Sequence, residues 1–148
     1  MANHYTNIVV AVDGSKEAEF AFRKAIDVAR RNVGSTKNLV NVIDTRSFAA
    51  IEAYDRSVAE RAQKFSEELL EGYKKQANEE GIENVNIVIE YGSPKNIITK
   101  ELSKIVQADL IICGATGLNA VERFLIGSVS EAIVRSATCD VLVIRTPE

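Results

Sequence analysis

The residues best placed to do chemistry are glycines and serines late in the chain. Gly114-Ala115-Thr116-Gly117 is followed, after nine residues, by Gly127-Ser128. Glycine has no Cβ, so it can take positive φ and let a ligand approach the main chain. The first glycine follows an apolar run, Leu110-Ile111-Ile112-Cys113, and Gly127-Ser128 precedes a helical pattern from Val129 to Ala137. A strand ending in glycines and a helix starting after Gly-Ser form a physical device for holding phosphate. The amides of Ser128, Val129 and Ser130 are the expected donors, because the first amides of a helix have no intrahelical partner. The hydroxyls of Ser128 and Ser130 add to them. Thr116 and Gly117 belong to the same loop, and Arg123 inside it is the cation placed to reach a phosphate. The helix dipole alone contributes about 0.3–1 kcal/mol, so several convergent amides matter more than the dipole. The Gly114–Gly127 connection also exceeds the roughly 2–6 residues usual between a strand and a helix. Together these features make a nucleotide the leading ligand. The competing reading is a plain turn plus a capped helix, with Arg123 as a solvated charge or a partner for Glu122.

A second candidate lies near the start. Asp13 ends the apolar run Ile8-Val9-Val10-Ala11-Val12, and a carboxylate there suits ribose hydroxyls. Its alternative is a turn or capping aspartate within Asp13-Gly14-Ser15. Val42, at the end of a second run, could offer its backbone N–H and C=O to an adenine edge. That role needs no particular side chain.

Absent patterns narrow the chemistry. There is no GxxxxGK[ST] phosphate loop and no GxGxxG after the first strand. There is no Gx[ST]xG nucleophile elbow. The lone histidine, His4, precedes the first strand on the wrong end for a crevice beyond the strand ends, so a Ser-His-Asp set is excluded in practice. Cys113 and Cys139 lack CxxC spacing and are expected to pack as small apolar residues. A disulfide scaffold or a Cys/His zinc site is not expected, and no catalytic residue is assigned.

The elements that must position these residues follow from periodicity. Five apolar runs, Ile8–Val12, Leu39–Ile43, Val85–Glu90, Ala108–Cys113 and Val141–Ile144, alternate with helical patterns. The first helix carries Ala18, Ala21, Phe22, Ala25, Ile26, Val28 and Ala29 on one stripe, with Ser15 as N-cap. Asn32 to Asn38 reads as a polar turn. The second helix places Val58, Ala62, Phe65, Leu69, Tyr73 and Ala77 inward after a connector from Thr45 to about Tyr54, and Gly81 stops it. Ser93-Pro94 opens a third helix with Ile97, Ile98, Leu102, Ile105 and Val106 inward. A fourth runs from Ser128 to Ala137.

Strands that are apolar on both faces and alternate with helices indicate a parallel sheet covered on both sides. The expected fold is a single doubly wound α/β domain over residues 1–148, with a five-stranded parallel sheet in the order 3-2-1-4-5. That order sets the first and fourth strands side by side where the winding reverses, which is where such sheets bind ligands. Asp13 and Gly114 would then face one crevice. The fifth strand, Val141 to Ile144, lies at an edge and is apolar on both faces. An exposed apolar edge invites pairing, here with a second copy across a two-fold axis.

Bulk properties fit this reading. The chain has 148 residues, 46% hydrophobic and 26% charged, with a net charge of −3. No basic field exists to attract a nucleic acid. No apolar run is long enough to span a bilayer, and the first residues do not read as a signal peptide. A cytoplasmic protein without a membrane or nucleic-acid partner is expected.

These residues resemble the universal stress protein family. The resemblance rests on Asp13-Gly14-Ser15, on Asn41-Val42-Ile43-Asp44 and on the G-2x-G-9x-G-S signature at Gly114, Gly117, Gly127 and Ser128. It extends through the tail Gly127-Ser128-Val129-Ser130-Glu131-Ala132-Ile133-Val134-Arg135 and covers essentially the whole chain. It implies a five-stranded α/β fold that binds ATP, with magnesium accompanying the triphosphate. It further implies that Asp13 and Gly114 contact ribose, that Val42 contacts adenine through its backbone, and that Gly117, Gly127, Ser128, Val129 and Ser130 contact the phosphates. It also implies a homodimer through the fifth strand. The function expected is an ATP-binding regulatory or stress-response protein, since the site is rich in binding donors and poor in acid–base groups. The alternatives are a slow ATPase or phosphotransferase, and a dimeric interaction module without nucleotide turnover.

Overall fold

A computed structural model describes residues 4–44, 56–102, 106–115 and 126–145. Strands β1 (Asn7–Ala11), β2 (Thr36–Ile43), β3 (Val85–Tyr91), β4 (Leu110–Gly114) and β5 (Asp140–Ile144) form one sheet in the order β3-β2-β1-β4-β5. Every neighbouring pair is parallel. The expected order and strand direction are those observed.

The two faces are covered by different elements. Ile8, Val10, Leu39, Leu110 and Ile112 pack against helices α1 (Lys16–Arg31) and α2 (Ser57–Glu79). Val9, Val40, Ile111 and Cys113 face the other way, toward Ile98 and Ile133. Ile98 lies in a π-helical turn, Ile97–Leu102, that continues the short helix α3 (Pro94–Asn96). Ile133 belongs to helix α4 (Ser128–Ser136). Alternate residues of β1 thus serve opposite cores, which is why the strand is apolar throughout.

Helix α1 buries the seven residues of its expected stripe. The Ser15 hydroxyl accepts from the Ala18 amide at 3.1 Å, so it caps the helix. Glu17 and Glu19 in the first turn and Arg30 and Arg31 in the last complement its dipole. Helix α2 ends at Gly81 by two reversed bonds, Gly81 N–H to Asn78 O and Ile82 N–H to Ala77 O.

Three expectations need correction. The stretch expected as a turn from Asn32 to Asn38 is strand from Thr36 onward, and Lys37 and Asn38 are buried in it. Their polar ends are bonded, with Lys37 Nζ donating to Ser35 O at 2.5 Å and Asn38 Nδ2 donating to Ile8 O at 3.3 Å. Helix α2 buries Ala77 and packs Leu69 and Tyr73 against the core as expected, but it also buries Ser66 and Leu70, and Phe65 is 58% exposed. The third helix is a single α turn followed by π-helix rather than one continuous α-helix. Ile97 and Ile98 are buried there as expected, Leu102's side chain and Ile105 lie outside the described residues, and Val106 is half-buried. The whole Thr45–Tyr54 connector lies outside them too.

Candidate functional site

The C-terminal ends of β1 and β4 are adjacent, as Ile8 to Val10 pair with Leu110 to Ile112. Asp13 and Gly114 therefore sit at the same edge of the sheet, where the winding reverses. Asp13 is half-buried, and its Oδ1 accepts from the Ser15 amide at 2.9 Å. That bond makes a tight turn, helped by Gly14 at φ +86°, a region open to glycine. The turn reading of Asp13 is thus correct as geometry, and it leaves the second carboxylate oxygen for another partner. The phenol of Tyr73 on α2 is pushed up by burial first, then by the carboxylates of Glu19 and Asp13.

Gly114 is required for a reason other than positive φ. A Cβ on it would lie 3.0 Å from the backbone carbon and Cβ of Glu17 in the first turn of α1. The end of β4 therefore touches the start of α1 without a side chain between them. Gly127 does not need positive φ either, since it is extended at φ −66° and ψ 163°. Its place is fixed by a hydrogen bond, Gly127 N–H to Ala115 O at 2.7 Å. Ser130 Oγ donates to Gly114 O at 2.5 Å. The two ends of the glycine segment are thus bonded to each other directly.

Helix α4 makes its first intrahelical bond from Glu131 N–H to Gly127 O at 2.9 Å. The amides of Ser128, Val129 and Ser130 precede it and have no partner within the helix. Ser128 is exposed, Val129 half-buried and Ser130 buried. The Ser130 hydroxyl proton is committed to Gly114 O, so this side chain braces the loop's stem and is not a free donor. Thr116, Gly117 and Arg123 lie outside the described residues. Behind the stem, burial pushes the Cys113 thiol up to about 11, with the Ser130 hydroxyl pulling the other way. Cys113 is therefore a neutral packing residue, as expected, and not a nucleophile.

Val42 is placed by the hydrogen-bonding pattern of β2. Thr36 N–H bonds Thr6 O and Val12 N–H bonds Val40 O, so the even residues of β2 point their main-chain groups toward β1. Lys37 N–H bonds Asn84 O and Gly92 N–H bonds Ile43 O, so the odd residues point toward β3. The main chain of Val42 therefore faces the side from which β1 has already departed. The next rung would be Val42 N–H to Val12 O. Instead Val12 O accepts from Asn41 Nδ2 at 2.7 Å. Sequence reading did not find Asn41. Its signal was a polar residue inside the otherwise apolar run Leu39–Ile43.

The site thus gathers a half-buried carboxylate, a strand's released main-chain edge and three helix-terminal amides. Among the described residues no group of three or more His, Cys, Asp and Glu gathers as metal ligands. No helix among them is long and apolar enough to cross a membrane.

The sequence model of the universal stress protein family matches residues 4–145. The chain belongs to this family. A relative from Staphylococcus haemolyticus bearing the universal stress protein name is 56% identical over 144 residues, covering 97% of this chain and 87% of its own. Among solved structures, universal stress protein UspA from Lactobacillus plantarum superposes with a TM-score of 0.84 at 28% identity, covering 96% of this chain and 99% of that one. A universal stress protein in complex with cAMP shares the fold, with a TM-score of 0.72 at 22% identity, covering 98% of this chain and 100% of the other. The five-stranded order, 3-2-1-4-5, is thus a universal stress protein fold.

Proposed function

We propose that this universal stress protein binds an adenine nucleotide, ATP foremost, at the C-terminal edge of β1, β2 and β4, and acts through its bound state as a regulatory homodimer in the cytoplasm. The observation that carries this reading is the convergence of Asp13, the free main-chain edge of Val42 and the amides of Ser128, Val129 and Ser130 at one end of the sheet. Asp13 and Gly114 would meet the ribose and Val42 the base. Gly127 and the α4 amides would meet the phosphates, together with Thr116, Gly117 and Arg123 from the loop. Magnesium would accompany the triphosphate and be held chiefly by phosphate oxygens. The distant fold relative in complex with cAMP supports an adenine nucleotide as a ligand the fold can accept.

Absorbance gives a direct test. The chain has no Trp and four Tyr, so co-purified nucleotide would stand out near 260 nm. Calorimetric titration with ATP, AMP and cAMP then ranks the ligands. Absence of binding by all three at millimolar concentration would end this reading. Steady phosphate release that Asp13→Ala abolishes would move the protein to the ATPase alternative.

The dimer reading rests on β5. It is the outer strand of the sheet, and Val141 to Ile144 stay half-buried at its edge. We expect Val143→Lys to convert a dimer to a monomer in sedimentation experiments. A wild-type monomer at micromolar concentration would refute the β5 dimer.

A further inference from the structure

Asn41 and Ser66 form a buried pair that neither core explains. Asn41 is 9% exposed and Ser66 is fully buried. Ser66 Oγ, on α2, donates to Asn41 Oδ1 at 2.8 Å, and Asn41 Nδ2 donates to Val12 O at 2.7 Å. The relay thus runs from a helix, through a side chain of β2, to the last carbonyl before Asp13.

Its place in the ladder is what matters. In a parallel sheet, a residue's N–H and C=O bond two different residues of the same neighbouring strand. Val12 N–H bonds Val40 O at 2.8 Å, so Val12 O is the natural acceptor for Val42 N–H. Val12 O instead accepts from the Asn41 amide, at 2.7 Å. The β1–β2 ladder stops one bond early, although Val12 and Val42 are still apolar residues that could extend it. An unpaired main-chain group is costly unless water or a ligand meets it. A side chain that holds such a group open, and is itself held by a buried hydroxyl, is a specific arrangement.

We propose that Asn41, oriented by Ser66, is a positioning residue that terminates the β1–β2 ladder and keeps the Val42 main chain available to the base of the ligand. This deepens the adenine-nucleotide reading and rests on it. Asn41 need not touch the nucleotide. A carbonyl can accept two bonds, so Asn41 acts by holding Val12 O, and the peptide that leads into Asp13, off the line of the ladder. Phe65, the neighbour of Ser66 on α2, adds a second contact at this turn, since its ring would lie 3.4 Å from a Cβ on Gly14.

The test is amide hydrogen exchange on the ligand-free protein, followed by nucleotide titration. In Asn41→Val the side chain can no longer bond Val12 O, and the ladder gains a rung. Exchange at the Val42 amide is expected to slow by about tenfold, as one added hydrogen bond allows, while Ile43, paired with β3, keeps its rate. Ser66→Ala, which changes a single hydroxyl, is expected to slow Val42 in the same direction by a smaller factor. General destabilisation would do the opposite and speed exchange at both amides. ATP affinity should fall by about tenfold in Asn41→Val. Unchanged or faster Val42 exchange in both variants overturns the inference. Slowed exchange with unchanged ATP affinity overturns the link to the ligand. If the wild-type protein binds no adenine nucleotide, the functional reading fails, and the exchange data still decide whether Asn41 ends the ladder.

Discussion

The two ends of the sheet use similar residues to opposite purposes. At the N-terminal end, Asp109 precedes β4 and accepts three hydrogen bonds, from Thr6 N–H at 2.8 Å, Thr6 Oγ1 at 2.9 Å and Asn7 N–H at 2.9 Å. Asn32 accepts from Tyr5 N–H and donates to Val28 O, both at 2.8 Å, and Tyr5 OH donates to Asp140 at 2.6 Å. The polar groups there close on one another and tie the first residues of the chain to α1, β4 and β5. At the C-terminal end, Asp13 accepts one bond from within its own turn, the β1–β2 register ends before Val42, and three α4 amides have no helical partner. An aspartate beside a strand therefore says little by itself. What it binds depends on whether its neighbours are already paired with one another.

This contrast can be broken by substitution. The largest effect is expected for Asp109→Ala, which removes the acceptor for three bonds. It should cost about 3 kcal/mol in urea unfolding, at roughly 1 kcal/mol per bond, and leave ATP affinity unchanged. An affinity loss as large as the stability loss would mean that the two ends are not separable. Gly114→Ala should affect both properties. Its methyl must displace the start of α1, at a cost of about 1–3 kcal/mol in stability, and it should weaken nucleotide binding by a similar amount. Asp13→Ala should be the mirror image of Asp109→Ala. It should weaken nucleotide binding about tenfold, the worth of one charge-assisted hydrogen bond, and cost little in unfolding.

The smallest effect concerns pH. Burial pushes the Lys37 ammonium below its ordinary range, with Glu83 opposing. The folded state then holds this proton less tightly than the unfolded chain, so stability should rise as pH climbs toward the ordinary lysine range. Lys37→Met should lack that rise. Unfolding of both proteins between neutral pH and about pH 10 would check the sign, with the wild type gaining on the variant as pH increases.

The sequence carried the fold further than it carried the site. The α1 stripe, the Ser15 cap and the strand order were legible because each follows from apolar periodicity or from a local hydrogen bond. Lys37 and Asn38 were misread as a turn because their polar ends are satisfied by Ser35 O and Ile8 O, partners that periodicity cannot reveal. Phe65 was misassigned to the core for a related reason. Helix α2 turns Ser66 inward to meet Asn41, and Phe65, its neighbour, lies on the exposed side while Leu69, Tyr73 and Ala77 keep to the core. At the candidate site, Gly114 and Gly127 stand at the two ends of one clasp for reasons their spacing does not give. Gly114 is small because Glu17 leaves no room, a contact between residues far apart in the chain. The availability of Val42 was equally hidden, since it depends on the main-chain register and on a neighbour's side chain.

The bonds from Gly127 to Ala115 and from Ser130 to Gly114 have a bearing on engineering. They clasp the start of α4 directly to the end of β4. Closing a longer loop on a fixed stem adds only about 0.6 kcal/mol for each doubling of its length. A segment of another length grafted between Ala115 and Gly127 is therefore expected to leave this β4–α4 clasp in place.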